Sequence, residues 1–417
     1  MFKIHLLLFS ILTFTLASCD IWSQGSQGEW DSEYLPLNDA EYPYAELPRL
    51  VIETKNFSHI KDKETKISAH LQVYGKAEPI SSIKELTIKG RGNSSFEMTK
   101  YGYKLKFFNK VPLLGMPKDK EWDLVPNFRD KSMVRNYVTY QLAGILGDEY
   151  NPKCQFVELY LNRQYLGIFL VVEHVKVAEH RVNIPKNDSS FLFEKTSFTS
   201  TDGQMFTSSM GYIFKFCSPK EPSQESVSLL ENHINDFEHF LQTKNIYKLD
   251  SIRSWIDVED FVRYYWIQEF SKNLDGYRRS IFITWVKNAS GPTPLKMGPI
   301  WDFDLTYGAS SSNKVSAEGW FIRNYGWDRF LFKNKDYKAL VKDYWRKNRS
   351  TFVSILDSID SKSEELQNAA HNEFKKWPTL QKDDAWPFIE SYDSYEEAVD
   401  TLKSWIERRI QWIDENL

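Results

Sequence analysis

The strongest constraint on this chain is an acidic segment at residues 298–308, Gly-Pro-Ile-Trp-Asp-Phe-Asp-Leu-Thr-Tyr-Gly. Side chains alternate along an extended segment, so Asp302 and Asp304 would point to one side. Trp301 and Phe303 would then point to the other side. Two carboxylates roughly 6–7 Å apart repel by about 2–3 kcal/mol at an effective dielectric constant of 20. The segment is either a solvated strand end or a site for Mg²⁺, which binds one or two carboxylates and completes its shell with water and phosphate.

A second acidic turn precedes this segment. Residues 258–272 carry apolar side chains near 3.6-residue spacing, which predicts a helix, and residues 273–276, Asn-Leu-Asp-Gly, predict a polar turn presenting Asp275. Residues 280–286 predict a strand, and residues 295–303 predict a second one leading into the acidic pair. Protein kinases also carry a catalytic Asp and a Mg²⁺-binding Asp on either side of a hairpin. The kinase triplets His-Arg-Asp and Asp-Phe-Gly are absent here.

Length favours a two-lobed protein, and strand-like segments followed by mostly helical ones favour the α+β class. A chain of 417 residues exceeds what one hydrophobic core usually organises, and 41% hydrophobic with 26% charged residues is typical of globular proteins. We expect a core at 49–310, with a β-rich N-terminal lobe at about 49–195 and a mostly helical C-terminal lobe from about 220. Residues 311–417 predict a helical extension that packs on the C-terminal lobe.

The N-terminus predicts export and lipid anchoring. Residues 1–18 have the short apolar run of a signal peptide, and the Leu-Ala-Ser-Cys sequence ending at Cys19 resembles a bacterial lipobox. Ordinary cleavage near Cys19 without lipid is the alternative. Residues 19–48 predict a flexible tether. The expected location is therefore the bacterial cell envelope, extracytoplasmic and attached to a membrane through the Cys19 lipid.

Charge and cysteine content narrow the possible partners. A formal net charge of −4 without a Lys/Arg stripe argues against nucleic-acid binding. Without a Cys-x-x-Cys, a His-Glu-x-x-His or a His cluster, zinc is not expected. Cys154 and Cys217 could form a disulfide outside the cytoplasm, but sequence does not establish that they are close.

A glycine-rich turn lies between two predicted strands at residues 89–95, Lys-Gly-Arg-Gly-Asn-Ser-Ser. Arg91, Gly92, Asn93 and Ser94 could cover phosphates with a guanidinium, backbone N–H groups and side-chain donors. Many ordinary hairpins have the same composition, so the motif alone is weak.

The following strand, residues 101–108, places Lys104 and Lys106 on one face. Kinases reach the α- and β-phosphates with a lysine from a strand that follows a glycine-rich loop. A half-exposed strand would carry lysines equally well. Glu173 ends an apolar strand, and if it is buried it needs a partner, which either lysine could provide.

Taken together, these stretches resemble the CotH family of spore-coat-type atypical kinases over roughly residues 50–310. The matching motifs, in chain order, are Gly90-Arg-Gly-Asn-Ser-Ser95, Tyr103-Lys-Leu-Lys106, Trp122-Asp-Leu, Asp130-Lys-Ser-Met-Val-Arg-Asn136, Glu158-Leu-Tyr-Leu-Asn162, Tyr165-Leu-Gly167, Glu173, Asn273-Leu-Asp-Gly276 and Gly298-Pro-Ile-Trp-Asp-Phe-Asp304. The resemblance implies a kinase-like two-lobed fold, ATP and Mg²⁺ as cofactors, and phosphorylation of Ser or Thr hydroxyls on a protein substrate.

The resemblance also implies roles for the acidic residues. Asp275 would be the catalytic aspartate, with Asn273 beside it in the same loop. Asp302 would be the principal metal ligand, supported by Asp304.

The resemblance further implies an ATP-binding set on the N-terminal strands. Lys106, preferred over Lys104, would touch the phosphates and Glu173 would orient it, while Arg91 and the glycine-rich turn would close over ATP. Arg163 replaces the glycine usual in the family's Asn-Gly turn, a change that should not affect the chemistry.

Two other functions remain open from sequence. The same fold could serve as a non-catalytic surface scaffold or adhesion-type lipoprotein, since ATP is scarce outside the cytoplasm. The aspartates could instead be a glycosidase pair, which needs two carboxyls about 5–9 Å apart across a cleft.

Overall fold

A computed structural model describes residues 37–199, 203–309, 315–382 and 390–417. Its N-terminal part is a closed β-barrel with the strand order β1-β2-β3-β4-β5-β7-β6, in which β1 closes against β6 in parallel. The strands are β1 (Arg49–Thr54), β2 (Ile67–Tyr74), β3 (Lys84–Arg91), β4 (Gly102–Leu113), β5 (Met116–Val125), β6 (Cys154–Leu161) and β7 (Gln164–Glu173).

Alternation along the strands separates the barrel interior from its outer face. On β4, Tyr103, Leu105 and Phe107 are buried in the barrel core, as the sequence predicted. Lys104 and Lys106 therefore project outwards. Closure of the barrel leaves no unpaired strand edge.

A second sheet follows, in the order β12-β11-β8-β10-β9, with β13 paired to β11. Its strands are β8 (Ser190–Thr196), β9 (Met205–Thr207), β10 (Ile213–Ser218), β11 (Ile281–Asn288), β12 (Gly291–Pro292) and β13 (Lys296–Met297). Because β8 pairs with β11, it belongs to this sheet and not to the barrel, although the predicted N-terminal lobe included it.

The helices pack with the second sheet around a core distinct from that of the barrel. They are α1 (Arg135–Ile145), α2 (Gln224–Phe240), α3 (Leu249–Arg253), α4 (Val258–Phe270), α5 (Asp328–Leu331), α6 (Lys335–Val353), α7 (Ile355–Lys376) and α8 (Tyr395–Asn416). Asp257 caps α4 by accepting the Asp260 N–H. The α+β class predicted from sequence is confirmed.

The α7 helix contacts the barrel directly. Glu373 pairs with Lys100 at 2.7 Å, both side chains are buried, and Glu373 also accepts the Ile168 N–H at 2.7 Å. The C-terminal helices thus brace the barrel as well as the helical region on which they were expected to pack.

Residues 37–48, the described part of the predicted tether, also lie against this assembly. Tyr42 stacks on Tyr165 with ring centroids 4.2 Å apart, and Asn372 donates to the Pro43 carbonyl. Ala45 and Leu47 are buried, so these residues pack on the body and do not extend away from it.

Residues 1–18 and Cys19 lie outside the described residues, so the signal-peptide and lipid-anchor predictions stay predictions. In the part of the chain that the structure describes, no helix has the length and apolar character needed to span a membrane. Cys154 and Cys217 are free thiols and do not form a disulfide.

A buried ion pair ties α8 to α4. The Nη2 of Arg409 lies 2.7 Å from Oε1 of Glu269, and both side chains are 0% exposed. Arg409 also donates to the Ala317 and Gly319 carbonyls, and Glu269 accepts the Phe321 N–H. The ion pair of Arg409 and Glu269 therefore positions residues 317–321, which follow the acidic segment.

Replacing Arg409 by Met should destabilise the protein by about 3–5 kcal/mol, because Glu269 would remain buried without its cation. Denaturant unfolding measures this change. Arg349→Met is the matched control, since Arg349 pairs with Asp414 between α6 and α8 at a partly exposed position and should cost at most about 1 kcal/mol. Equal losses for both variants would contradict the assignment.

Candidate active site

The structure brings together three aspartates that lie on separate segments. Asp275 follows α4, while Asp302 and Asp304 follow β13. The charge of Asp275 helps to raise the pKa of Asp302, and Asp302 helps to raise that of Asp304. Asn273 joins the segments, because its Nδ2 donates to the Asp302 carbonyl at 3.4 Å and its Oδ1 accepts the Asp275 N–H at 3.0 Å. The three aspartates therefore lie near one another in the folded chain.

The acidic segment itself is not the strand predicted for residues 295–303. The strand ends at Met297, and residues 298–303 have no regular structure. Pro299 has no N–H to continue the ladder, and Asp302 adopts a left-handed conformation with φ 69°. The predicted division of side chains nevertheless holds: Phe303 is buried and Asp302 is exposed.

Two residues from the start of α1 fix this irregular segment. The Oδ1 of Asn136 accepts the Phe303 N–H at 2.8 Å. The Nε of Arg135 donates to the Thr306 carbonyl at 3.1 Å, while its guanidinium pairs with Asp130. Arg135, Asn136, Phe303 and Thr306 are all buried. The conformation of the acidic segment therefore depends on a helix that lies far earlier in the chain, since Asn136 and Phe303 are 167 residues apart.

Asp275 is held by two arginines from its own loop. Arg278 approaches Oδ1 with Nε at 3.0 Å and Nη2 at 2.8 Å, and Nε of Arg279 lies 2.8 Å from Oδ2. The Asp275 side chain is 8% exposed. Its orientation is therefore fixed by charge-assisted hydrogen bonds.

The environment raises the pKa of both remaining aspartates. Although Asp302 remains accessible to solvent, nearby protein atoms replace part of the hydration of both carboxylates, which raises the pKa of Asp302 and raises that of Asp304 to about 7. Arg91 opposes the shift at Asp302, and Arg129 opposes it at Asp304. Sequence reasoning missed Arg129, which lies outside every predicted element and follows Phe128 in a turn.

Arg91 connects the barrel to the acidic segment. Its Nε lies 3.3 Å from Oδ1 of Asp123 on β5, and its guanidinium lies 5.2 Å from the ring centroid of Trp301. A cation from the end of β3 thus reaches the acidic segment, and the role of Arg91 in covering ATP stays a prediction.

The lysines on β4 pair with a different glutamate from the one predicted. Lys104 and Lys106 lie 3.4 and 3.5 Å from the carboxylate of Glu121, whose pKa falls to about 2 because nearby cations outweigh its burial. Glu173 instead pairs with Arg181. The proposed contact between Glu173 and a β4 lysine is wrong because β5 lies between β4 and β7 in the barrel.

The glycine-rich turn is compact. Gly92 has φ 117°, and a Cβ there would lie 2.3 Å from Oγ of Ser95, so glycine is required for the turn itself. Asn93 and Ser94 are exposed at its tip. Among the predicted ATP-binding residues of this turn, Arg91 is the one that the structure brings to the acidic segment.

Sequence reasoning also missed Glu194 on β8. Its pKa rises to about 7 through burial and the charge of Asp302, against Lys215 and a hydrogen bond from the Ser280 N–H. Ser280 in turn donates from Oγ to Oδ2 of Asp302 at 3.2 Å. The short strand containing Glu194 carried no signal for this role, because the neighbouring strand β11 lies about 90 residues away in sequence.

The donor chemistry of the site fits Mg²⁺. Asp302 and Asp304 offer hard carboxylate oxygens in a region where their repulsion is only partly offset. Across the described ranges, no group of three or more His, Cys, Asp or Glu side chains is placed to hold a metal ion. An ion here would therefore take most of its ligands from phosphate and water, as Mg²⁺ commonly does.

The chain is an α+β protein in which a closed barrel and a second sheet with helices have separate hydrophobic cores. Its charged site is formed by segments that are distant in sequence. The chain matches the family described as CotH kinase protein over residues 88–413, and it belongs to the CotH family. The match extends beyond residue 310, so α6, α7 and most of α8 are part of what the family shares. No curated protein matches the chain.

Replacing Asp304 by Asn should stabilise the metal-free protein at pH 8.5 by on the order of 1–3 kcal/mol, with little effect at pH 4. The native pKa near 7 exceeds the unfolded value of about 4, so protonation favours the native state fully below pH 4, and this gain is lost as pH rises from 4 to 7. Unfolding in EDTA at both pH values measures the difference. Asp188→Asn, at an exposed site, is the control. A pH-independent difference between Asp304→Asn and wild type would contradict the assignment.

Proposed function

We propose that this CotH family protein is an extracytoplasmic, Mg²⁺-dependent kinase that transfers the ATP γ-phosphate to Ser or Thr hydroxyls of a protein substrate. The observation that carries the proposal is the convergence of Asp275, Asp302 and Asp304 beside Arg91, a cation contributed by the barrel. Phosphoryl transfer depends chiefly on positioning and on electrostatic stabilisation of phosphate charge, which such a set can supply.

We assign different roles to the three aspartates. Asp302 and Asp304 would hold Mg²⁺, which when bound neutralises phosphate charge. Asp275 would orient the acceptor hydroxyl and accept its proton. An ionised carboxylate has about four acceptor positions, so the bonds from Arg278 and Arg279 leave room for a hydroxyl while fixing the carboxylate plane.

Lys104 is better placed than Lys106 to contact the phosphates. Lys104 is 20% exposed, and its charge interacts with Asp123, which also binds Arg91. Lys106 is 49% exposed and lies two residues farther along β4. We therefore revise the preferred lysine to Lys104, oriented by Glu121 in place of Glu173.

The two hydrophobic cores support a kinase-like two-lobed arrangement. The barrel core carries Arg91 and Lys104 on its strands, and the core of the second sheet and helices carries the aspartates. ATP would bind where these two sets of residues face each other. For Gly92, Asn93 and Ser94 we retain a role in covering the phosphates, supported by their place next to Arg91.

The proposed location and partners rest on sequence. The Leu-Ala-Ser-Cys motif supports a lipid on Cys19 that holds the protein at a membrane of the bacterial cell envelope. The partner is a protein substrate, and nucleic acid is not a proposed partner.

A non-catalytic scaffold that binds nucleotide is the second candidate. One observation favours it: both oxygens of the Asp275 carboxylate are already bound by arginines. In that case the site would bind ATP with Mg²⁺ and transfer no phosphate.

Phosphate transfer from γ-labelled ATP to casein and to the chain itself, in Mg²⁺, tests the proposal. Asp275→Asn and Asp302→Asn should lower the labelling rate by about 100-fold or more, because each removes a group acting on the transferred phosphate or proton. Asp188→Asn should label like wild type.

Other outcomes separate the alternatives. Equal labelling by all variants would overturn the site assignment. A rise in melting temperature with ATP and Mg²⁺ but no labelling would favour the scaffold, since ligands that bind the folded state raise the midpoint. Release of reducing sugar from polysaccharide would favour a glycosidase.

A further inference from the structure

His174 lies between two charged groups on the outer face of the barrel. Its Nε2 is 2.8 Å from Nζ of Lys104, and its Nδ1 is 2.9 Å from Oδ2 of Asp123. The Asp123 side chain is 1% exposed, whereas that of Lys104 is 20% exposed. The imidazole therefore bridges a buried carboxylate and the lysine that we place at the phosphates.

Three neighbouring strands bring these residues together. Lys104 of β4 lies directly opposite Asp123 of β5, and opposed residues of antiparallel strands point to the same face. The strand β5 also pairs with β7, and His174 directly follows Glu173 at the end of β7. The contact thus depends on the order β4-β5-β7 in the barrel, which sequence reasoning did not predict.

The chemistry of the two partners decides where the ring carries its proton. An ammonium group has three N–H donors and no acceptor, so Nε2 of His174 must accept from Lys104. Burial lowers the pKa of Lys104, but the carboxylates of Asp123 and Glu121 stabilise its charged form. A neutral imidazole then carries its proton on Nδ1, from which it donates to Asp123.

Asp123 links both cations that we place at the phosphates. Its Oδ2 accepts from His174, and its Oδ1 lies 3.3 Å from Nε of Arg91. Burial would raise the pKa of the Asp123 carboxyl, but nearby positive charge, chiefly that of Arg91, lowers it below its usual range. The ionised carboxylate therefore holds Arg91 directly and Lys104 through the imidazole.

Glu121 is shared among several cations and does not by itself set the direction of Lys104. Its carboxylate also lies 3.5 Å from Lys106 and 3.8 Å from Lys176. Its separation of 3.4 Å from Lys104 is longer than the 2.8 Å contact between Lys104 and His174. Because a short hydrogen bond is directional, His174 restricts the position of the ammonium more closely than Glu121 does.

We propose that His174 is a positioning residue, which accepts a hydrogen bond from Lys104 and donates one to Asp123, and so holds the ammonium in place to contact the nucleotide phosphates. The inference rests on the proposed function, because the phosphates are those of the ATP that the kinase would bind. Its chemical requirement is an imidazole with no proton on Nε2.

The proton placement can be tested in the wild-type protein. A long-range ¹H–¹⁵N correlation spectrum of the full chain, labelled with ¹⁵N at histidine, distinguishes the two neutral tautomers from the imidazolium. At about pH 8, above the range in which an unperturbed histidine is charged, His174 should carry a proton on Nδ1 and none on Nε2. The signal is assigned by its loss in His174→Gln. A protonated Nε2 would overturn the inference whatever the variants show.

Two amide variants separate the hydrogen bonds of the ring. Gln can place its amide oxygen near the position of Nε2 and accept from Lys104, whereas the shorter Asn reaches only the position of Nδ1 and donates to Asp123. His174→Asn should weaken binding of a non-hydrolysable ATP analogue with Mg²⁺ about 10-fold, the scale of one charge-assisted hydrogen bond. His174→Gln should recover most of that loss. Titration calorimetry measures both affinities, and His239→Asn, at an exposed position on α2, is the control.

A double-mutant cycle separates positioning from support of the fold. In a Lys104→Met background, His174→Asn should cause no further loss of affinity, because the lysine that it positions is absent. An additive loss would overturn the inference alone, as would wild-type affinity in His174→Asn or a His174→Gln variant as weak as His174→Asn. Absence of analogue binding by the wild type would instead overturn the proposed function, and the role of Lys104 with it.

Discussion

Repulsion among Asp275, Asp302 and Asp304 is the interaction on which the rest of the site depends. Bringing desolvated carboxylates together costs free energy, and the raised pKa of Asp302 and Asp304 records that cost. Arg129 and Arg91 offset part of it. The fold keeps the arrangement because backbone bonds from buried polar groups, which would be left unpaired otherwise, hold the acidic segment in place.

The bracing of this segment explains why the C-terminal helices belong with the site. The buried pair of Arg409 and Glu269 joins α8 to α4, and α4 leads directly into the loop of Asp275. Glu373 of α7 also pairs with Lys100, which lies just before β4 of the barrel. Two buried ion pairs therefore join the C-terminal helices to α4 and to the barrel, which agrees with a family match that continues to residue 413.

Local pattern predicted several elements near the site, because their apolar side chains recur with a clear period. The helix α4 and the strands β4 and β11 were predicted at residues 258–272, 101–108 and 280–286, and they are observed at Val258–Phe270, Gly102–Leu113 and Ile281–Asn288. The strand β5 was not predicted because its first half, Met-Pro-Lys-Asp-Lys-Glu, is largely charged. On this strand Glu121 faces the β4 lysines.

The sequence did not predict which strands distant along the chain pair with one another. Convergence of the aspartates followed from chain order, but the partner of Glu173 and the presence of Glu194 depend on which strands are neighbours. Barrel closure inserts β5 between β4 and β7, and β8 leaves the barrel to pair with β11. Neither event has a signature in the strands' own residues.

The site that the structure describes contains acidic and basic side chains in equal number. Asp275, Asp302, Asp304 and Glu194 face Arg91, Arg129, Arg278 and Arg279, which interact with them as ion pairs or through space. Without a ligand these charges partly compensate one another. A triphosphate would attract the arginines away from the carboxylates, and each carboxylate so released would gain from a divalent cation. Nucleotide and metal should therefore bind together more strongly than either binds alone. The nucleotide would bind the arginines, and the metal would bind the carboxylates that the arginines leave.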